Sequence, residues 1–193
     1  MIQKISIIAL SVFLIACSSK SKVARVDESE QTDLSGRWNE TDSKLVAEEM
    51  VKDALSRPWA LEFETDLNRK PVLVVGLVRN LSHEHISSGT FIKDIEREIL
   101  NSGRAKIVQA GDARNELRDE RAEQQDFASK ETAKKWGKEL GADFILQGSI
   151  NSIVDQDKKS KSIFYQVDME LTNVESNEKV WIGDKKIKKL VKK

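Results

Sequence analysis

The sequence is poor in the residues that carry most enzyme chemistry: one cysteine, two histidines and one tyrosine in 193 residues. A single cysteine excludes an internal disulfide. Two histidines exclude a three-imidazole zinc centre, so a zinc site would need carboxylates. Charge of one sign is also lacking, since 32 Lys+Arg balance 32 Asp+Glu. That balance argues against nucleic-acid binding, whose footprint is a net basic face. No apolar run approaches the roughly 20 residues of a membrane-spanning helix. There are two prolines, no low-complexity tract and no internal repeat. Val75-Gly76-Leu77-Val78 holds one glycine and no phosphate-gripping lysine in register, and no nucleophile-elbow pattern occurs. These absences predict a protein that is not an enzyme, with no cofactor and no metal.

What is present begins at the N-terminus. Lys4 precedes an apolar stretch from Ile5 to Leu14, and Leu14-Ile15-Ala16-Cys17 closes it. A basic start, a short apolar core and a small residue before the cut describe a secretory signal peptide. With cysteine directly after the small residue, the four resemble the bacterial lipobox, which implies lipidation of Cys17 and removal of residues 1–16. Lipidation also accounts for an unpaired thiol in an exported chain. Residues 17–34 are small, polar and charged without periodicity, and are expected to be a flexible tether. About 18 such residues reach at most about 60–65 Å when fully extended.

The globular part is expected over residues 35–193. Thr41 or Asp42 caps a first helix with Leu45, Val46, Met50, Ala54 and Leu55 on its apolar side, and Pro58 ends it. Trp59, Leu61 and Phe63 follow as an apolar cluster. Lys70 to Val78 is nearly continuous apolar sequence, as in a strand buried on both faces. A second helix carries Phe91, Ile92, Ile95 and Ile99 and stops at Asn101-Ser102-Gly103. A short strand (105–109), a highly charged helix (112–127) with a thin stripe of Ala113 and Leu117, and a helix (129–140) come next. Strand 143–154 leads to a hairpin in which Tyr165, Val167, Met169 and Leu171 form the dry face, with the return strand over 179–183. The class predicted is α/β: a single domain with a mixed sheet, helices on both faces and a C-terminal antiparallel hairpin at one edge.

Candidate contact residues lie in the polar loop 79–89, at the strand end where ligands dock on open sheets. Arg79, Asn80, His83 and His85, with Asn151 of the second apolar strand, are taken as partner-binding candidates. His83-Glu84-His85 lacks the helical spacing of an HExxH zinc motif and is read as loop. Residues 185–193 hold six lysines. They could meet an anionic partner such as a membrane surface or wall polymer, or serve as a solvated tail guarding an edge strand. Trp38, Trp59, Trp136 and Trp181 are expected as core anchors.

Several stretches together resemble one family. They are Ser43-Lys44-Leu45-Val46-Ala47, Arg57-Pro58-Trp59, Lys70-Pro71-Val72-Leu73-Val74 with Arg79-Asn80, Asn101-Ser102-Gly103, Gly141-Ala142-Asp143-Phe144-Ile145-Leu146 and Glu178-Lys179-Val180-Trp181-Ile182-Gly183. From about Leu34 to Lys189 the chain resembles the LpoB-like lipoprotein activators of penicillin-binding proteins. The resemblance implies a non-catalytic, monomeric globular domain in the periplasm, anchored by lipid in the outer membrane, which docks on and stimulates a bifunctional peptidoglycan synthase. Known members carry a longer, proline-rich tether than this one. The alternative is a structural or secretion-assembly lipoprotein of the curli type, whose periplasmic domains share the Gly-Ala-Asp strand and the Val-Trp hairpin.

Overall fold

The computed structural model of the protein describes residues 23–27, 30, 33–127 and 141–192. Cys17 and the helix expected over 129–140, with Trp136, lie outside the described residues. The chain divides into Met1–Gln31 and a compact unit, Thr32–Lys193. In the first, the described residues carry no helix or strand.

In the compact unit the elements are α1 (Glu40–Ser56), α2 (Pro58–Leu67), β1 (Val72–Leu81), α3 (Ser88–Ser102), β2 (Lys106–Ile107), α4 (Gly111–Phe127), β3 (Phe144–Gln156), β4 (Ser160–Asn173) and β5 (Lys179–Lys192). The sheet order is β2-β1-β3-β4-β5. β1 runs parallel to β2 and β3, and the β3-β4-β5 meander is antiparallel. The expected single α/β domain with a mixed sheet and an antiparallel hairpin at one edge is the fold observed.

The cap of α1 is Asn39 rather than Thr41 or Asp42. Asn39 Oδ1 accepts from the Asp42 N–H, and Asp42 Oδ2 accepts from the Asn39 N–H, each at 3.0 Å. This reciprocal pair is a capping box, so Asp42 serves at the third helical position. Of the expected apolar side Val46, Met50, Ala54 and Leu55 are buried, joined by Ala47 and Val51, while Leu45 is exposed. Pro58 ends α1 by holding Arg57 extended (ψ 158°), and then starts α2 from its first position. A missing N–H costs nothing there, and the fixed φ suits a helix. In α2, Trp59 is buried and packs on Phe144 with ring centroids 5.0 Å apart, while Leu61 faces solvent.

β1 is buried on both faces only over Val72–Val75. A bulge between Val75 and Val78 shifts the register against β3 and returns Val78 to the core face. Such an extra residue bends the strand and re-aims its side chains. Beyond it Leu77, Arg79 and Leu81 are exposed, so the expected two-sided burial stops at the bulge. On the core face Leu73, Val75, Val78, Leu146, Ile150, Ile163, Tyr165, Val167, Met169 and Leu171 pack against α1 and α3. Period-two alternation in β4 puts these residues on one side, as the sequence pattern requires.

Two stretches differ from expectation. Ala113 and Leu117 of α4 are exposed, because two small or isolated apolar residues cannot define a buried face. The lysine-rich C-terminus is strand rather than tail: β5 pairs with β4 all the way to Ser160↔Lys192. Ile187, Lys189 and Val191 alternate with Lys186, Lys188, Leu190 and Lys192, so the sequence fits a pleat with lysine stems on its outer rows.

Candidate functional site

The loop after β1 is built around Glu84, whose side chain is only 12% exposed. Its Oε1 accepts the Trp38 N–H at 2.9 Å and the Tyr165 hydroxyl. Arg37 Nε lies 3.9 Å from Oε2. Burial and then the hydrogen bond to Glu84 push the Tyr165 phenol well above its ordinary value. Trp38 closes the site edge-on against Tyr165 (5.6 Å) and Phe91 (6.2 Å). The loop thus clasps residues 33–39, which run as a strap to the cap of α1.

The strap has a second fastening. Lys189 Nζ donates to Asp42 Oδ2 and Asp33 Oδ1, both at 2.6 Å, and to the Arg37 carbonyl at 3.1 Å. Lys189 and Asp42 side chains are 9% and 7% exposed. Burial pushes the ammonium pKa down, but the bonds to Asp33 and Asp42 outweigh it and hold it above the ordinary lysine value. Between these two points Gly36 has φ +68°, and a Cβ there would run into the Val191 side chain.

The candidate residues fall into two groups. Asn80 is half-buried and holds the loop, donating to the Glu84 carbonyl (2.8 Å) and accepting from the Ser82 N–H (3.0 Å). His83 pairs with Ser152: the Ser152 Oγ accepts the His83 N–H at 2.9 Å and lies 2.7 Å from Nδ1. The His83 ring stacks on Tyr165 at 6.3 Å, and His85 is exposed. Among the described residues no group of three His, Cys, Asp or Glu side chains is gathered at metal-binding spacing.

Arg79 and Asn151 belong to the other group, on the open face of the sheet. Arg79 pairs in register with Ser149, and Leu81 with Asn151, so both candidates share one face in adjacent rows. Asn151 is tied to Asp168 (3.2 Å), which also accepts from Gln166 (2.7 Å). Arg79 is exposed and stands beside Leu77 (58% exposed), Leu81 and Ile182 (70%) along a shallow groove of about 360 Å³. Exposed leucine and isoleucine rimming an arginine is the composition of a protein-contact patch, where arginine and apolar anchors are enriched. Sequence reasoning missed Leu77, Leu81 and Ile182, because only the bulge and the register put them together.

A small α/β domain with one packed sheet face, one partly open face and a strapped N-terminal entry is the class these features define. The chain belongs to the family of the peptidoglycan-synthase activator LpoB, whose profile matches residues 42–187. No curated protein sequence matches it. Among solved structures it is similar to the LpoB C-terminal domain from Escherichia coli (17% identity, TM-score 0.46, covering 76% of this chain and 98% of that one). The LpoB C-terminal domain from Salmonella enterica is similar at 15% identity and TM-score 0.46, with the same coverage of 76% and 98%. The PelC dodecamer from Paraburkholderia phytofirmans matches at 14% identity and TM-score 0.38, covering 62% and 73%. Among the described residues no helix is long and apolar enough to cross a membrane.

Proposed function

We propose that this protein is a non-catalytic, lipid-anchored activator that binds a bifunctional peptidoglycan synthase, a penicillin-binding protein, and raises its activity in cell-wall synthesis. The observation that carries the reading is the family match over residues 42–187, which spans nearly all of the compact unit. In this reading Cys17 holds the lipid, the anchor is in the outer membrane and the domain is in the periplasm. Arg79 and Asn151 contact the synthase from the open face, His83 and His85 from the loop, and Asn80 sets the loop's shape. An exposed arginine among apolar side chains supplies both desolvated area and a charge that fixes orientation.

The test uses the chain from Ser18 on, which lacks the lipid site and keeps the whole compact unit. Immobilised, it should capture a bifunctional synthase, and added in solution it should accelerate glycan polymerisation. Arg79→Glu should cut that stimulation about tenfold, consistent with loss of one interface anchor. Photo-crosslinkers scanned across residues 79–89 and 148–182 should mark the contact. Failure to capture a synthase, together with an unchanged polymerisation rate, would sink the reading.

A further inference from the structure

The lysines of β5 divide into two populations. Lys179, Lys185, Lys186 and Lys189 are paired with Glu170, Glu49, Asp184 and the Asp33/Asp42 pair. Lys188 and Lys192 are exposed and pair with no described carboxylate. Lys158, Lys159 and Lys161, in and beside the β3–β4 turn, are likewise unpaired. Register brings them to the same end of the sheet, since Lys192 lies opposite Ser160 and Lys161 opposite Val191. Asp157 there is occupied within its own turn, accepting from the Lys159 and Ser160 N–H groups at 2.7 and 2.6 Å. Leu190 (62% exposed) stands between Lys188 and Lys192 on this face, with the exposed Asp155 in its row, and Ile153 (67%) lies two strands away in the row of Lys188.

The chain enters the compact unit at this same pole. Asp33 is bound to Lys189, and Gly36 lies against Val191. Under the lipid-anchored reading, the tether therefore joins the domain at this end of β5. Unpaired lysines interleaved with exposed aliphatic side chains are the chemistry of an anionic lipid surface: ammonium groups meet phosphate while the apolar side chains enter the headgroup boundary.

We propose that the pole formed by Lys158, Lys159, Lys188, Leu190 and Lys192 is a docking surface for a bilayer containing anionic phospholipid. A tether at the same pole raises the local concentration of lipid headgroups around the patch without adding a contact. The inference rests on the lipid-anchored reading only for that concentration; the chemistry of the patch does not depend on it. The surface is distinct from the groove beside Arg79, so the two can be tested apart.

The experiment is co-sedimentation of the chain from Ser18 on, which carries no lipid, with two kinds of vesicle. One is phosphatidylethanolamine with about a third phosphatidylglycerol; the other is phosphatidylcholine alone. Binding is expected on the first, and should be released when NaCl rises from about 50 to about 300 mM, as screening shortens the reach of the lysines. Each lysine near an anionic surface is expected to change binding about fivefold. Lys188→Glu with Lys192→Glu should therefore weaken it by more than about twentyfold. The equal-charge control, Lys44→Glu with Lys52→Glu on exposed positions of α1, should bind as the parent does. Thermal melts of both variants report folding, and the salt response of the unmutated chain stands without either. The proposal is overturned by equal binding to neutral vesicles or by equal loss in the control pair. Sedimentation with peptidoglycan sacculi but not with vesicles also overturns it.

Discussion

Glu84 accepts a hydrogen bond from the main-chain N–H of Trp38, 46 residues earlier, at 2.9 Å. The same carboxylate oxygen accepts the hydroxyl of Tyr165 from strand β4. One side chain thus joins the strap, the loop after β1 and strand β4.

Replacing Glu84 with alanine removes an acceptor serving a main-chain donor and a buried phenol. Hydrogen bonds to a charged group contribute about 1.5–3 kcal/mol each, and unmade buried donors cost more than that mean. Glu84→Ala is expected to lower unfolding free energy by about 3 kcal/mol. Tyr165→Phe, which removes one donor and leaves the Trp38 bond, is expected to cost about 1 kcal/mol. Urea denaturation at pH 7 measures both, and equal losses for the two would show that Glu84 does not join three elements.

The Lys189–Asp42 pair is buried, so removing one partner leaves the other charge uncompensated. Breaking such a pair costs about 3–5 kcal/mol, whereas removing both members costs less than the sum. Lys189→Met should be strongly destabilising, and adding Asp42→Asn to it should recover part of the loss. The sign with pH follows from the raised Lys189 pKa. Stability from this contact is full below the unfolded lysine value of about 10.4, and is lost as pH rises through the higher folded value. Thermal melts from pH 8 to 11.5 should therefore fall more steeply for the parent chain than for Lys189→Met.

Much of this fold was legible. The β4 pattern places Tyr165, Val167, Met169 and Leu171 on one face because a hairpin strand is wetted on one side only, and all four are buried. Gly103 stops α3 with φ +63°, as an αL cap should. The strap was not legible: Glu84 finds its partners 46 and 81 residues away, and no local period encodes that. Pro58 carries two meanings, stop and start, and only the packing of Trp59 on Phe144 selects both. The bulge in β1 depends on a register with β3, so Leu77 reads as core in sequence and stands on the surface in the fold. That Arg79 and Asn151 share one face follows only from the β1–β3 register; His83 is joined to Ser152 beside Asn151 by a bond that sequence spacing does not reveal.

Asp143 supplies an acid-side prediction. Its carboxylate takes both Arg69 guanidinium nitrogens at 2.7 Å and the Val72 N–H at 2.8 Å, at the point where β3 begins to pair with β1. Burial pushes its pKa up, but Arg69 and the Val72 N–H more than offset this and hold it below the ordinary aspartate value. A depressed folded pKa means that the stability is present above the unfolded value, near 3.9, and is lost as pH falls through the folded one. The parent chain should lose stability on acidification below about pH 4. Asp143→Asn should be less stable at pH 7 and should show a flatter acid limb. The limb should not vanish, since Trp181 first and then Arg57 hold Asp53 low by the same logic.

Tether length follows from the strap. Because Asp33 is bound to Lys189 and Trp38 to Glu84, residues 33–39 move with the domain and add nothing to its reach. On the proposed anchor at Cys17, only about 15 residues are left to extend, at most about 50 Å. Adding ten residues before Thr32 lengthens that by about 33 Å without touching the strap, so activation of a synthase in cells should change steeply while the melting temperature stays within about a degree. Ten residues inserted at Gly36 instead separate the Lys189 and Glu84 fastenings and should lower the melting temperature by several degrees. Equal melting temperatures for the two insertions would mean that the strap is not fastened, and equal activity for the parent and the first insertion would mean that reach does not limit function.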